Sequence, residues 1–358
     1  MIDGHDPVRR AVLAAALVGT AGWFLSACTA SASSAGASAS GSVAGGLKPG
    51  TGPATPANTA TGLSRQVVLP EPAISSQLRA TYSTSNGLPH AFDRSLLVLN
   101  YHDVLVDGHR SGIPGEDHYT VFAEDFSRQM QMLYLAGFRS VGIAEVLAAR
   151  RSGHALPRRS VLITFDDGGS GQWTCADQVL ARYGFRAVAF VITSFVGKPT
   201  YLAWAEVEAM QQSGRWEVQD HTHADHHLVS RGRNLSSASV LINRKYDAAT
   251  GSLESLAGAR TRVRTDLQTS IDLLSSHGIA RPTAFAYPYS QVLSPTNDPQ
   301  LASYVRRLLG TSFPLLFTNG APGRLVSPNE LAGDLLPRIE IRHAETASGL
   351  YQRLRLMG

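Results

Sequence analysis

The stretch 220-DHTHADHH-227 packs four histidines and two aspartates into eight residues. Imidazole is the commonest protein ligand for transition metals, but one ion cannot use every side chain in such a run. What else in the chain converges on it therefore decides the reading. Upstream, Asp166 and Asp167 stand side by side after the apolar run Val161-Leu162-Ile163-Thr164-Phe165. Adjacent carboxylates on a turn point in different directions, so one can bind a cation while its neighbour stays free to take a proton. A divalent ion held by one carboxylate and two imidazoles keeps positions open for water and a substrate oxygen. Such a site makes water ionisable near neutral pH and polarises a carbonyl. With a carboxylate as general base, a backbone N–H for the oxyanion and a further histidine to protonate the leaving amine, the set would hydrolyse an amide on a sugar. An isolated Asp166-Asp167-Gly168 is more simply a surface turn with capping carboxylates. The histidine run at a neighbouring strand end reverses that preference.

Those groups need elements to carry them. Strand-length apolar runs at 96–101, 161–165, 187–193 and 216–219 alternate with helical spacing over 126–137, 173–183 and 201–214. Later strands are expected at 284–287 and 315–318. This rhythm predicts an α/β fold with parallel strands and helical crossovers: a (β/α) barrel, distorted or incomplete, as a single catalytic domain. In such folds catalytic groups gather at the C-terminal ends of strands. Four polar strand ends would then face one opening: Tyr101-His102-Asp103, Phe165-Asp166-Asp167, Asp220-His221 and Tyr287-Pro288-Tyr289.

At these residues a family resemblance enters. Thr164-Phe165-Asp166-Asp167-Gly168 resembles the TFDDG motif of the polysaccharide deacetylases, carbohydrate esterase family 4. The resemblance implies Asp166 as general base and Asp167 as metal ligand. The family's second motif, His-Ser/Thr-x-x-His, would put its second histidine where this chain has Asp225. The poly-β-1,6-N-acetylglucosamine deacetylase branch has His-Thr-His-x-x-His instead, with the outer histidines on the metal. His221-Thr222-His223-Ala224-Asp225-His226 is similar to that pattern, which implies His221 and His226 as ligands. His227 stays open as a replacement for His226 should the turn differ by one residue. Tyr101-His102-Asp103-Val104 resembles the opening of that branch and implies His102 as general acid. Ala286-Tyr287-Pro288-Tyr289-Ser290 is similar to the oxyanion motif and implies the Tyr289 backbone N–H as donor; Tyr287 and Ser290 depart from the branch's Trp-Pro-Tyr-Gly. Leu336-Pro337-Arg338-Ile339 resembles a late Pro-Arg segment, implying that Arg338 orients the base. The resemblance spans roughly 95–342 and implies a metal-dependent N-deacetylase of an extracellular amino-sugar polymer. Poly-N-acetylglucosamine is favoured over peptidoglycan, chitin-like oligomers and galactosamine glycans. Zn is the favoured ion, with Co, Ni or Fe as alternatives.

The remainder of the 358 residues reads as delivery and packing. Residues 1–28 read as an export signal, with Arg9-Arg10 before the apolar run 11–24. Leu25-Ser26-Ala27-Cys28 resembles a lipobox and implies a lipidated Cys28 as membrane anchor; the paired arginines also resemble a twin-arginine signal. The expected location is outside the cell, on the outer face of the membrane or secreted. Residues 29–64 form a Ser/Ala/Gly/Thr/Pro-rich tether, 65–94 a lead-in, 95–345 the deacetylase domain and 346–358 a tail. The net charge of +4 is modest and argues against a nucleic-acid partner. Arg231, Arg233, Arg244, Lys245, Arg260, Arg262 and Arg264 read as one solvated basic face. With Cys28 at the anchor, Cys175 is the only remaining thiol and reads as a small buried residue. His223 is expected to point away from the ion and be hydrogen-bonded, while His277 and His343 are expected on the solvated surface. Tyr201 and Trp204 suit a sugar platform or the core. Two rivals stand beside the deacetylase: a non-catalytic glycan-binding surface protein, and a two-metal phosphoesterase spelled by Asp225-His226-His227.

Overall fold

Seven parallel strands close into a ring in the computed structural model, which describes residues 62–83, 87–106, 118–319 and 324–357. The export signal, Cys28 and nearly all of the tether lie outside the described residues. The strands are β1 Leu97–Tyr101, β2 Ser160–Phe165, β3 Ala187–Val191, β4 Trp216–Asp220, β5 Ala284–Ala286, β6 Leu315–Asn319 and β7 Leu335–Glu340. Around the ring they run β1-β7-β6-β5-β4-β3-β2, and β2 returns to β1 in register from Leu97↔Val161 to Tyr101↔Phe165. A two-residue strand, Arg139–Ser140, pairs with the start of β2 and adds no member to the ring.

Parallel neighbours need crossovers, and helices supply them. They are α1 Ala123–Leu135, α2 Ile143–Ser152, α3 Asp177–Tyr183, α4 Trp204–Gln212, α5 Leu256–Ser276 and α6 Pro299–Ser312; α7 Ala347–Arg355 follows the last strand. Among the described residues no helix is long and apolar enough to cross a membrane.

Strand alternation sorts the side chains into separate cores. Val98, Leu162, Val188, Phe190, Ala286, Phe317 and Leu336 share one cluster inside the ring, joined by Ile143, Val146 and Leu147 of α2 at the strands' N-terminal end. The intervening Leu97, Leu99, Val161, Ile163 and Ala189 face outward into the cluster that holds α1, α3 and α7. Phe285 and Leu316 pack under α5 and α6. Period two also explains the site. Asn100 lies two residues past Val98, Thr164 and Asp166 two and four past Leu162, and Arg338 two past Leu336. The inner face therefore turns polar at the strands' C-terminal end, and all four residues are buried.

One joint in the ring is thin. The three-residue β5 meets β4 through the single register pair Phe285↔Asp220. There the Gln219 side chain stands in for a strand partner: its Oε1 accepts the N–H of Thr283 at 2.9 Å and of Ala284 at 2.8 Å.

Several expectations need adjustment. α1 starts at Ala123, three residues earlier than its apolar spacing indicated, with Glu124 and Asp125 in the dipole-favoured first turn. The helix expected over 173–183 opens as a π-helical turn, Gln172–Ala176, before α3. β7 was not anticipated, because Pro337, Arg338 and Glu340 break any strand signature. The segment read as a tail carries α7, whose Leu350, Tyr351 and Leu354 are buried. Cys175 is buried as expected. His277 and His343, expected on the surface, are half-buried. His277 stacks on Trp204 with centroids 3.9 Å apart and pairs with Glu208 at 2.8 Å. The His343 Nδ1 donates to the Thr120 carbonyl at 2.9 Å. Trp204 is thus engaged in packing, and Tyr201 likewise meets the Phe195 ring at 4.9 Å.

Candidate active site

The turn after β2 begins the site. Asp167 adopts φ 69° and Gly168 φ 81°, left-handed conformations that swing the second carboxylate away from the first. For Asp167 this costs about 1–2 kcal/mol, and Thr222, after β4, carries the same strain at φ 77°. Such strain collects where side chains must be aimed. Here it aims Asp167 at the histidine run. The Nε2 atoms of His221 and of His226 both stand 3.3 Å from Asp167 Oδ1. The three candidate ligand atoms lie within 4.8 Å of one another. Ligand atoms bound at about 2.0–2.2 Å in a tetrahedral site are themselves about 3.3–3.5 Å apart, so the trio fits a zinc-sized ion. His221 Nδ1 donates to the Ala286 carbonyl at 2.8 Å, which makes Nε2 the nitrogen that faces Asp167 and would be offered to an ion.

Electrostatics divide the two aspartates' tasks. Burial alone would raise the Asp167 carboxyl, but His226, His221 and His102 outweigh it and hold the group well below the usual carboxylate range. Burial pushes His226 down to about 4, against the pull of Asp167, which keeps its ring neutral and able to ligate. Burial also works against ionised Asp166, yet Arg338 and His221 win and its pKa is lowered. Arg338 is fully buried and forks onto Asp166, Nη1 to Oδ1 at 2.7 Å and Nη2 to Oδ2 at 2.6 Å. Asn100 donates to the same Oδ2 at 3.1 Å and is itself held by the Thr164 hydroxyl at 3.0 Å. Two acceptor oxygens with about four lone-pair directions still leave Asp166 room for a proton from outside the fork.

His102 sits half-buried beside these groups, its ring 4.7 Å from that of Tyr119. Its Nδ1 is buried with no hydrogen-bond partner among the described residues. Tyr289, at φ 55°, lies against the trio: its ring is 4.9 Å from that of His226 and its hydroxyl donates to the His226 carbonyl at 3.3 Å. The structure thus gathers Asp166, Asp167, His102, His221, His226, Tyr289 and Arg338 at one end of the ring. The other histidines of the run stay off the trio. His223 Nδ1 bonds the Thr193 hydroxyl at 3.0 Å, and exposed His227 bonds the Ala224 carbonyl at 3.1 Å. Asp225 is turned away to Arg262 at 2.5 Å. That pair corrects the expected solvated basic face: Arg262 and Arg244 are engaged in ion pairs, while Arg233, Lys245 and Arg264 are exposed.

Gln172 was missed in the sequence. Fully buried on the π-turn, its Nε2 donates to the carbonyls of His102 at 3.1 Å and Asp166 at 2.9 Å. It clips the ends of β1 and β2 together, and π-turns often mark functional sites. A buried carboxylate went unnoticed as well. Asp266 sits among Val263, Leu267 and Ser270 on the buried stripe of α5, where an acid is anomalous and could have been flagged.

Comparison with known proteins agrees with this architecture. A sequence profile of the polysaccharide deacetylase family matches residues 153–304. The poly-beta-1,6-N-acetyl-D-glucosamine N-deacetylase of Escherichia coli K12 is 26% identical over 170 residues, 43% of this chain but only 25% of that protein. The chain therefore spans about a quarter of that relative's length. The protein of the same name from Staphylococcus epidermidis is 26% identical over 233 residues, covering 62% of this chain and 72% of the relative. Among solved structures, a de-N-acetylase from Aggregatibacter actinomycetemcomitans superposes with a TM-score of 0.61 at 21% identity, over 72% of this chain and 98% of that one. That likeness shows the barrel is shared. A closed parallel ring, the TFDDG turn inside the matched region and the family profile over 153–304 agree that the chain carries a polysaccharide deacetylase domain.

Proposed function

We propose that the chain is a metal-dependent N-deacetylase of an extracellular N-acetylated amino-sugar polymer, poly-N-acetylglucosamine being favoured. The observation that carries this reading is Asp166, held ionised by a buried Arg338 fork directly beside the Asp167-His221-His226 trio. Asp167, His221 and His226 would hold a divalent ion, which when bound would supply a Lewis acid for activating water and polarising a carbonyl oxygen. The chain's own residues do the rest. Asp166 takes the proton of the attacking water, and Arg338 and Asn100 keep its carboxylate aimed. The Tyr289 backbone N–H stabilises the oxyanion as the acetyl carbon becomes tetrahedral. His102 gives a proton to the sugar nitrogen as the C–N bond breaks, and acetate and a free amine leave.

The names of the relatives support N-acetylglucosamine polymer as substrate. Peptidoglycan and other N-acetylhexosamine glycans are the next arms of the test. The signal-like residues 1–28 and the lipobox-like Cys28 support export and a lipid anchor. A protein that only held glycan would need no ionised base clamped by a buried arginine. The phosphoesterase spelling loses its sense, since Asp225 is bound to Arg262 and His227 is exposed.

Acetate release from a panel of defined glycans, with chelator and after metal reloading, tests the reading. Asp166→Asn should lower turnover about 10²–10⁴-fold while keeping the metal. No acetate from any N-acetylated glycan after reloading would sink it, as would an undiminished Asp166→Asn variant.

A further inference from the structure

His221 and His226 are five residues apart, and a free turn of that length has no reason to point both imidazoles at Asp167. α5 supplies the reason. Asp266 is buried on that helix and accepts the backbone N–H of three successive residues: His223 at 2.9 Å, Ala224 at 2.7 Å and Asp225 at 2.9 Å. Consecutive N–H groups converging on one carboxylate form an anion nest, here filled from within the protein. One turn earlier on α5, Arg262 Nη1 donates to the Asp225 carboxylate at 2.5 Å. Its Nη2 reaches Glu254 at 3.1 Å and the Asn243 carbonyl at 2.9 Å, so the guanidinium is fixed on both sides. Positions 262 and 266 are four apart and share a helix face. A single helical turn therefore grips both the backbone and the side chain of the segment between the two histidines.

We propose that Asp266 and Arg262 are positioning residues for the metal site: they template the turn that brings His226 to Asp167, and they withhold the neighbouring Asp225 carboxylate from the same space. This rests on the reading of Asp167, His221 and His226 as the metal-holding trio. It explains how a carboxylate one residue from a ligand stays out of the site.

The test is the Zn²⁺ affinity of the folded full chain, measured by chelator competition. Asp266→Ala and Arg262→Met should bind Zn²⁺ about 10–100-fold more weakly than wild type, as outer partners of metal ligands do. Asp266→Asn keeps one acceptor oxygen and should recover part of the loss, as should Arg262→Lys. Because Arg262 acts through Asp225, Asp225→Asn combined with Arg262→Met should bind no more weakly than Arg262→Met alone. Arg264→Met, exposed on the same helix, should match wild type. Should Asp266→Ala not fold, Asp266→Asn and Arg262→Lys carry the measurement. Folded variants with wild-type affinity would overturn the proposal and leave the deacetylase reading intact. Tight Zn²⁺ binding by a wild type that releases no acetate would do the reverse. A wild type that binds no divalent ion would overturn both.

Discussion

Asp166 and Asp167 share a peptide bond yet meet opposite surroundings. Asp166 continues the inward alternation of β2 and lands on the Arg338 fork, while the left-handed backbone at Asp167 turns its carboxylate toward two imidazoles. The proposed base and the proposed metal ligand are thus set apart by two residues and one strained φ. The same logic separates His226 from His227, which the sequence left open. His226 Nε2 reaches Asp167, whereas His227 faces solvent. Bound zinc should be largely lost from His226→Ala and retained by His227→Ala; equal metal content in the two proteins would refute the assignment. At this scale the sequence was informative because these residues cluster in short motifs. Gln172 and Asp266 escaped because they act on backbone groups brought near only by folding.

Between elements, the end of β1 is locked to the turn after β2 by a carboxylate. Asp103 accepts the Val104 N–H at 2.9 Å, and its side chain fills the space above two glycines. A Cβ on Gly169 would lie 2.6 Å from Asp103 Cγ, and one on Gly171 would lie 2.1 Å from the Val104 carbonyl oxygen. The glycines of the Asp-Asp-Gly-Gly-Ser-Gly run thus serve close approach of β1 as much as turning. Burial raises the Asp103 carboxyl to about 7, despite N–H bonds from Val104 and Gly171. The unfolded group titrates near 3.9, so between about pH 4 and 7 the folded state binds a proton that the unfolded state lacks. This contribution is fully present below pH 4 and is lost as pH rises through about 7. In metal-free protein, Asp103→Asn should therefore lose less stability than wild type between pH 5 and pH 8, read from urea midpoints. Parallel losses would disprove the shift. Helix and strand existence followed from apolar spacing, but α1 began early and β7 went unseen. Acidic first-turn residues hid the one start, and a proline and two charges hid the other.

At the scale of the molecule, the ring is wrapped by segments the sequence assigned to its periphery. Trp173 Nε1 donates to the Ser64 carbonyl at 3.0 Å and Gln66 Nε2 to Asp177 at 2.8 Å, so the lead-in lies across α3. α7 closes the opposite terminus onto the same outer core as Phe126 and Met130. Barrel class was readable from the strand–helix rhythm, whereas closure with seven strands depends on which edges meet, and no local pattern encodes that. An ion that binds only the folded ring adds stability by mass action, about 2.7 kcal/mol at a hundredfold excess over its Kd. Stripping it with chelator should lower the melting temperature, and reloading should restore it. An unchanged melting temperature would argue that the trio holds no ion.

The thin joint between β4 and β5 gives that linkage a location. Besides the Phe285↔Asp220 pair and Gln219, His221 spans it through its Nδ1 bond to Ala286. One imidazole is thus a rivet of the wall and a proposed claw of the site. By thermodynamic reciprocity, whatever affinity the ion gains from a closed wall, the wall gains in closure from the ion. Amide exchange across this joint would then report occupancy before any substrate is added.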